Sequence, residues 1–581
     1  RGLGDVYKRQ QLYRQFTITI AVSVLLSTVV ALTLSPVMCS LILKPDSGKK
    51  KNIVFRKINE WLNLGNHKYV AVINRVIRNP RRLMSAFGLV LVAIFIIHRL
   101  VPTSFLPVED QGYFKIELEL PEGATLERTR VVTDRAVQYL EKNPYVAYVQ
   151  NVTGSSPRVG SNQARSELTV ILKPWEERKG ISIDKIMENV EKDLKEYPEC
   201  KVYLSTPPVI PGLGTSGGFE MQLEARGEAT FDNLVQAADT LMYYAQKHKE
   251  LTGLSSSLQS EIPQLYFDVD RDKVKMLGVP LADVFSTMKA YTGSVYVNDF
   301  NMFNRIYKVY IQAEAPYREH KDNINLFFVK AKDGVMVPLT SLGNASYTTG
   351  PGSIKRFNMF TTAVIRGSAA QGYSSGQAME IMEQIARDHL PDNIGLEWSG
   401  LSYQEKKAGG QTGLVLTLVF LFVFLFLAAQ YESWTVPIAV LLSLPVAALG
   451  AYLGVVICGL ENDIYFQIGL VMLVGLAAKN AILIVEFAKV QVDKGGDLIQ
   501  SAIHAAQLRF RPILMTSLAF VLGMLPMVLA SGPGSASRQA IGTGVFFGMI
   551  FAIVFGIVLV PFFFVLVYKT KAKVQHKIKK D

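Results

Sequence analysis

The chain has 581 residues, with 61 Lys and Arg against 49 Asp and Glu, which gives a formal net charge of +12 at pH 7. Hydrophobic residues make up 49% and charged residues only 19%, below the roughly 25% that is usual in soluble proteins. This composition argues against a wholly soluble protein and favours a membrane protein that has a large soluble part.

Seven apolar stretches are long enough to cross a bilayer as helices. We place them at 16–43, 80–101, 411–430, 436–459, 465–489, 512–531 and 540–568. The first is not a cleavable signal peptide, because it is too long and ends at Pro36-Val-Met-Cys-Ser40 without a small-residue cleavage site. The first ten residues contain no Met, and we interpret them as an artefact outside the fold.

Lysine and arginine are concentrated after the first stretch, after the fifth stretch and in the C-terminal tail. The segment after the fifth stretch is predicted to be a basic loop that includes Arg509 and Arg511. Because basic loops face the cytoplasm, the roughly 310 residues between the second and third stretches are expected on the other side. Residues 52–76 predict an amphipathic helix, which could lie at the membrane surface or pack on the bundle.

The long soluble segment begins with a predicted β-α-β-β-α-β unit. Residues 115–120 alternate strictly between polar and apolar, which predicts a strand buried on one face. The elements that follow are a helix at 125–140, strands at 145–152 and 167–172, a helix at 183–194 and a strand at 201–204. Two Gly-, Pro- and Ser-rich stretches, 153–165 and 206–218, are predicted to be long loops.

The same order of elements then restarts. Its predicted members are strands at 219–223, 265–270, 361–366 and 396–399 and helices at 231–246 and 375–389. An inserted module, about 271–350, separates the two middle strands. Two such units in tandem provide a cleft through which a substrate could pass, although they could also be purely structural.

The sequence contains no motif for nucleotide binding, nucleophilic catalysis or metal binding. The seven histidines are scattered, and neither a Gly-Lys-Ser/Thr loop nor a Gly-x-Ser-x-Gly elbow occurs. The three cysteines form no disulfide framework. Methionines of the soluble segment could bind soft metals but more often fill cores. We therefore expect neither an enzyme nor a cofactor.

Lys479 stands near the middle of an apolar run at 466–485, roughly 15 Å from either membrane surface. Insertion scales assign about 2.5–3.5 kcal/mol to a lysine at such a depth, so its ammonium needs a carboxylate or a wet cavity. None of the seven stretches carries Asp or Glu at mid-depth, so the counter-charge is expected from another subunit or from a part of the protein outside this sequence. Arg509 and Thr516 are two helical turns apart and can face the same neighbour.

Several motifs occur in a fixed order along the chain. They are Tyr13-Arg-Gln-Phe16, Phe105-Leu-Pro-Val-Glu-Asp-Gln-Gly112, Tyr296-Val-Asn-Asp-Phe300, Gly400-Leu-Ser-Tyr-Gln-Glu405, Tyr431-Glu-Ser-Trp434, Gly475-Leu-Ala-Ala-Lys-Asn-Ala-Ile-Leu483 and Arg511-Pro-Ile-Leu-Met-Thr-Ser-Leu518. With them the sequence closely resembles the resistance-nodulation-division (RND) efflux permeases of the hydrophobe/amphiphile branch. The resemblance implies the last helix of the first half and the whole second half of a twelve-span permease, and thus a truncated chain.

The fold that the resemblance implies is a membrane α-helical bundle of seven spans with a large α+β periplasmic domain. That domain would consist of two ferredoxin-like β-α-β-β-α-β porter subdomains, the second split by a docking insertion. The expected divisions are an artefact (1–10), a transmembrane helix (11–44), a cytoplasmic loop with an amphipathic helix (45–79), a transmembrane helix (80–104), a porter subdomain (105–215), the first part of a second (216–270), a docking subdomain (271–350), the second part of that porter subdomain (351–402), five transmembrane helices (403–568) and a basic cytoplasmic tail (569–581).

The resemblance also implies roles for five residues. Lys479, Arg509 and Thr516 match the family's proton-relay positions, whose paired aspartates lie on a helix outside this sequence. Val152 and Tyr203 match positions of the substrate pathway, and 153–165 matches a switch loop. Where the best-known members carry phenylalanines, this chain has Gln150, Ser155, Pro157 and Thr169, which differs from an aromatic-lined drug pocket.

The expected function is proton-driven efflux of amphiphilic or hydrophobic compounds, with protons as the coupling ion and no cofactor. The expected partners are two further copies in a homotrimer, a periplasmic adaptor protein and an outer-membrane channel. The expected location is the inner membrane of a Gram-negative cell. The alternatives are a soft-metal exporter and an export-accessory or scaffold protein of the same superfamily.

Overall fold

The computed structural model describes residues 2–42, 53–156, 159–178, 180–210, 214, 217–258, 260–370, 372–409 and 412–578. The chain divides into two compact units, Arg1–Ala71 and Val72–Asp581. The first unit contains α1 (Gly2–Leu32), α2 (Leu34–Ile42) and the beginning of α3 (Ile53–Arg78). The helix breaks after Leu32 because Pro36 lacks the N–H that would pair with the Leu32 carbonyl. The first ten residues, expected to lie outside the fold, belong to α1 from Gly2 onwards.

The amphipathic helix predicted at 52–76 is α3. In its last turns Ile73 and Ile77 are buried, whereas Trp61 and Leu64 earlier in the helix are exposed. The next helix, α4 (Pro80–Leu100), begins with a proline, which suits the first helical position because the N–H there would have no intrahelical partner.

The first α+β unit has the predicted order of elements. It consists of β1 (Tyr113–Glu119), α5 (Leu126–Glu141), β2 (Val146–Ser156), β3 (Gly160–Leu172), α6 (Ile183–Leu194) and β4 (Lys201–Ser205), and its antiparallel sheet has the order β2-β3-β1-β4. Phe114, Ile116 and Leu118 of β1 are buried in the core with residues of α5 and α6. Because neighbouring side chains of a strand point to opposite faces, Lys115, Glu117 and Glu119 lie on the face away from that core.

The prediction of a loop at 153–165 is wrong for most of that range, because β2 and β3 form one long hairpin. Ser156 pairs with Gly160, and the register shifts between Thr153 and Ser155. Gly154 lies in the left-handed region at φ +87°, which a residue with a side chain rarely adopts. The described residues of the stretch predicted as a loop at 206–218 belong to no helix or strand.

The second α+β unit begins with β5 (Phe219–Ala225), α7 (Phe231–Ala245) and β6 (Leu251–Ser256). The inserted module contains β7 (Ile262–Val269), α8 (Arg271–Met276), α9 (Leu281–Met288), β8 (Val295–Met302), β9 (Arg305–Ile311), β10 (Phe328–Lys330), β11 (Met336–Pro338) and β12 (Gly343–Gly350). The unit is completed by β13 (Lys355–Phe357), β14 (Phe360–Ala369), α10 (Ser375–His389) and β15 (Ile394–Trp398).

The strand predicted at 265–270 does not belong to the second sheet. That sheet has the order β13-β14-β5-β15, with β6 paired to β14. The residues of β7 pair instead with β12 in a separate two-stranded sheet. The middle strand is thus β6, which was not predicted. The inserted module therefore begins before residue 271, because it already includes β7.

The remaining helices are α11 (Gly400–Gly409), α12 (Thr412–Tyr431), α13 (Val436–Leu441), α14 (Leu444–Cys458), α15 (Ile464–Asp493), α16 (Leu498–Val528), α17 (Ser535–Phe551) and α18 (Ile557–Ile578). A π-helical turn, Ala552–Gly556, joins the last two. Among the described residues, seven helical segments are long and apolar enough to cross a membrane. One prediction is wrong here: Arg509 and Arg511 lie inside α16 and not in a basic loop, because the helix begins at Leu498 and continues through Pro512.

Glycines bring two of the membrane helices into close contact. A Cβ atom on Gly450 would lie 2.6 Å from Cβ of Phe551, and one on Gly454 would lie 2.7 Å from Cβ of Phe547. The spacing of four residues places both glycines on one face of α14, as in the small-residue motifs of membrane helices. This packing fixes α14 against α17.

Candidate functional site

Lys479 lies on an exposed face of α15. Gly475, Lys479, Glu486 and Val490 are all exposed, whereas Ala478 and Ala481 are buried. In the described part of the chain, no hydrogen-bond or ion-pair partner contacts the Lys479 ammonium. The lysine therefore points away from the bundle that this chain forms, at a depth where an uncompensated ammonium is costly.

A buried hydrogen bond sets α15 against α16. The side-chain amide of Asn480 donates to the Ser517 hydroxyl at 3.0 Å, and both residues are buried. Each of these residues directly follows one of the predicted relay residues, Lys479 and Thr516. The bond thus fixes the height of Lys479 relative to Thr516. Asn480 and Ser517 were not predicted, although an amide and a hydroxyl inside two apolar helices are a sequence signal for such a bond.

The three predicted relay residues lie on this helix pair without contacting one another. Thr516 is exposed, and its hydroxyl donates to the carbonyl groups of Pro512 at 3.0 Å and Ile513 at 3.2 Å. The Arg509 guanidinium lies 3.8 Å from the ring centre of Phe487 on α15, and its buried Nε has no hydrogen-bond partner among the described residues. Within the described residues, Lys479 and Thr516 face outwards and Arg509 packs between the helices.

A group of acidic residues marks the junction between the membrane helices and the α+β units. The residues after α4 run along this junction. The backbone N–H of Asn462 donates to the Pro102 carbonyl at 2.8 Å, and the backbone N–H of Gly376 donates to the Thr103 carbonyl at 3.3 Å. The Ser375 hydroxyl lies 2.8 and 2.9 Å from the two carboxylate oxygens of Glu405 and donates its one hydrogen to this carboxylate. These contacts join α10, α11 and the turn before α15.

Two carboxyl groups at this junction titrate near neutrality. Burial raises the pKa of Glu405 to about 7, and the charge of Glu461 adds to that rise while the hydrogen bond from Ser375 opposes it. Burial also raises the pKa of Asp463 to about 7, against the opposing hydrogen bond from the Phe466 amide. These groups were not predicted. Asp463 lies in an acidic turn, Glu461–Asp463, between two apolar helices, and such a turn is a sequence signal that could have identified it.

Val152 and Tyr203 lie on the same face of the first sheet. Tyr203 is paired with Glu117, Glu117 with Glu167, and Glu167 with Val152, so the four residues form one row across the strands. At about 4.8 Å between strands, the row is about 14 Å long. Val152 is exposed and Tyr203 half-buried. The two glutamates between them were not predicted, although the alternation at 115–120 places Glu117 on this face.

The same face carries a buried ion-pair network. The Arg165 side chain is 5% exposed and lies 3.3 Å from Glu117, 2.7 Å from Glu119 and 3.2 Å from Glu122. The Ser156 hydroxyl donates to Glu117 at 2.5 Å. Since β3 lies between β2 and β1 in the sheet, this last bond shows that the end of the hairpin folds over the face. The hairpin is thus bound to the row of residues that contains both predicted pathway positions.

No metal site is found in the part of the chain that the structure describes. There, no group of three or more His, Cys, Asp and Glu side chains is arranged to hold a metal ion. The acidic residues at the junction and on the sheet are instead bound by hydroxyl groups, amides and guanidinium groups. Their chemistry is that of proton binding and of charge pairing.

Sequence comparison shows which known proteins this chain is similar to. The sequence model of the AcrB/AcrD/AcrF family matches residues 8–568. The chain is 38% identical over 563 residues to the multidrug/solvent efflux pump membrane transporter MepB of Pseudomonas putida, covering 96% of this chain and 53% of that protein. It is 39% identical over 564 residues to the multidrug resistance protein MdtF of Escherichia coli, covering 96% and 54%. It is 37% identical over 565 residues to the multidrug export protein AcrF of Escherichia coli, with the same coverage of 96% and 54%. The chain spans about half the length of the curated relatives it matches.

Proposed function

This chain belongs to the AcrB/AcrD/AcrF family of RND permeases, and on that premise we propose that it is part of a proton-driven exporter of amphiphilic or hydrophobic compounds. The names of the relatives include multidrug and solvent efflux pumps. The observation that carries the proposal is the exposed Lys479 in the middle of α15, whose charge no described residue compensates. The bond between Asn480 and Ser517 holds it in register with α16.

In the proposed mechanism, Lys479 pairs with carboxylates that lie outside the described residues. While those carboxylates are ionised, the ammonium is held against them. Their protonation removes the attraction, and Lys479 is released. Because the Asn480–Ser517 bond joins α15 to α16, a shift of Lys479 moves both helices together. The contacts of Arg509 with Phe487 give α16 a second attachment to α15 during that shift.

The movement reaches the substrate pathway through the junction after α4. Thr103 contacts Gly376 at the start of α10, and Glu405 binds Ser375 one residue earlier. A displacement of the membrane helices is thereby transmitted to the second α+β unit. In the first α+β unit, the row from Tyr203 to Val152 forms one wall of the pathway, with the end of the β2-β3 hairpin above it. The two α+β units act as porter subdomains and the inserted module as a docking subdomain.

In the proposed assembly, the protein is a homotrimer in the inner membrane of a Gram-negative cell. The α+β units lie in the periplasm, and a periplasmic adaptor joins the trimer to an outer-membrane channel. Amphiphilic cargo enters from the periplasm or the outer leaflet. Support comes from the family, from the position of the soluble units between two membrane helices, and from the excess of basic residues at the opposite ends of the helices.

The test is the Lys479→Ala substitution in the full-length protein, with export of a fluorescent amphiphile measured in cells that lack other efflux pumps. We expect loss of export with unchanged expression and trimer formation, since only the charge at the relay is removed. Lys494→Ala is the matched control, because Lys494 is exposed at the end of the same helix, and it should export normally. Unchanged export by the Lys479 variant would refute the proposed relay.

A Cu(I) or Ag(I) titration of the same protein tests the soft-metal alternative, and we expect that neither metal binds.

A further inference from the structure

A cavity of about 570 Å³ lies between the end of α4 and the first turn of α10. This volume is within the range of about 300–1,000 Å³ that small-molecule pockets occupy. Phe95, His98, Arg99 and Leu100 contribute from α4, and Gln377 and Glu380 contribute from α10. Because α4 is one of the candidate membrane spans and ends at Leu100, the cavity lies at the membrane surface.

The cavity is apolar on the membrane side and polar on the other. Phe95 and Leu100 of α4 are 62% and 73% exposed. Gln377 and Glu380 stand opposite them at the start of a helix that belongs to the soluble part. A molecule that fills the cavity must therefore combine an apolar end with a polar end. This is the character of a lipid at the membrane boundary.

The charges in the cavity are of both signs and are not paired with each other. In the described residues, neither Arg99 nor Glu380 has an ion-pair partner, and the guanidinium of Arg99 lies 5.5 Å from the ring centre of Phe95. His98 is held in orientation, since its Nδ1 shares a hydrogen bond of 3.1 Å with the Tyr452 hydroxyl. The cavity thus offers a cationic and an anionic group to one ligand.

The backbone amides of α10 do not supply the anion site. The Gly376 amide donates to the Thr103 carbonyl at 3.3 Å, and the Gln377 amide donates to the Ser374 hydroxyl at 3.3 Å. Among the side chains that line the cavity, Arg99 and His98 are the cationic and imidazole groups that could bind an anion. A guanidinium suits a phosphate group because its N–H donors match two phosphate oxygens.

We infer that this cavity binds the headgroup of a zwitterionic phospholipid, with the phosphate on Arg99 and His98 and the ammonium on Glu380. The acyl chains would run along Phe95 and Leu100 into the membrane. A free phosphate would leave the apolar wall and Glu380 unused, and an anionic lipid would place a negative headgroup beside Glu380. An ethanolamine phospholipid provides a partner for Arg99, for Glu380 and for the apolar wall. This site is independent of the proposed proton relay.

Native mass spectrometry of the purified full-length protein tests the inference. After delipidation, phosphatidylethanolamine or phosphatidylglycerol is added back and the bound fraction is measured. We expect Arg99→Gln to weaken retention of both lipids about tenfold, as the loss of a charge-assisted contact implies. Glu380→Gln should weaken phosphatidylethanolamine retention and abolish the preference for it over phosphatidylglycerol.

The controls are Arg82→Gln in the first turn of α4 and Glu319→Gln in the inserted module, both exposed in the structure, and both should retain lipid normally. Equal retention by the cavity variants and their controls would overturn the inference. Competition by millimolar inorganic phosphate would show a free-phosphate site, and equal retention of the two lipids by the unmodified protein would exclude a role for Glu380. Lys479→Ala should leave retention unchanged, so failure of the proposed export mechanism and failure of this site are distinguishable.

Discussion

At the scale of single residues, described residues compensate the buried charges of the first sheet but not the ammonium of Lys479. Arg165 is buried against three glutamates on the sheet, and Lys115 lies 2.5 Å from Glu167 on the same face. Lys479 has no such partner among the described residues. Buried charges on the sheet therefore have a structural explanation, whereas the charge in the membrane requires a functional one.

We predict that Arg165→Met lowers the free energy of unfolding by about 3–5 kcal/mol, because it leaves the buried Glu117 and the half-buried Glu119 and Glu122 without their cation. The measurement is the denaturant midpoint of the purified protein, followed by tryptophan fluorescence. Arg130→Met is the matched control, since the Arg130–Glu127 pair is exposed, and its midpoint should not change. Equal midpoints for the two variants would show that the network does not stabilise the sheet.

At the scale of elements, close glycine contacts determine how the membrane helices pack. We predict that Gly450→Ala destabilises the bundle by about 1–3 kcal/mol, because the new methyl group would overlap Phe551 of α17. Thermal unfolding in detergent measures the effect. Gly523→Ala in α16 is the control, as a Cβ there meets nothing within 4 Å, and it should not lower the melting temperature. Similar losses in both variants would mean that the α14–α17 contact is not the cause.

The elements with strong periodicity were predicted well from the sequence, and those defined by distant pairing were not. The helices at 183–194 and 375–389 match α6 and α10 because amphipathic spacing and serine caps are local signals. The hairpin end was predicted to be a loop because its Gly- and Ser-rich sequence has no alternation. It is held by distant contacts, including the bond of the Thr129 hydroxyl to the Gln163 carbonyl at 2.7 Å. Strand β6 contains Gly253 at φ +62° and is a strand only through its pairing with β14.

The candidate site was predictable to a similar extent. The sequence located Lys479 inside a membrane helix, because a charge inside an apolar run is a local signal. The relay roles of Arg509 and Thr516 came from resemblance, and Arg509 was expected in a loop before its helix. The sequence did not predict the Asn480–Ser517 bond or the contact of Glu405 with Ser375, because each depends on which helix faces which. Val152 and Tyr203 came from resemblance alone, and their position on one row became visible only with the strand register.

At the scale of the whole molecule, the junction after α4 connects the membrane helices to the α+β units through a small number of contacts. It holds carboxyl groups whose pKa values burial has raised to about 7, namely Glu405 and Asp463. At neutral pH each is divided between its charged and neutral forms. The stability of the junction is therefore expected to depend on pH in the range where the proposed exporter works.

We predict that Glu405→Gln stabilises the protein more at about pH 8 than at about pH 5. The folded state binds the Glu405 proton more tightly than the unfolded chain does, so stability falls as pH rises from the ordinary pKa of 4.5 through about 7. The full difference is about 3 kcal/mol, and glutamine removes it. Melting temperatures at both pH values measure the effect, with exposed Glu228→Gln as the control. A variant whose advantage does not grow with pH would refute this account of the junction.

Coupling of proton movement to export by Lys479 is tested most directly by the proton flux that accompanies transport. This flux is measured in proteoliposomes containing the full-length protein, with a pH-sensitive dye under an imposed pH gradient. For the unmodified protein we predict that adding an amphiphilic substrate accelerates the dissipation of the gradient. For Lys479→Ala we predict no acceleration, although substrate binding is retained. Substrate-dependent proton flux of normal size in the Lys479→Ala variant would contradict the account.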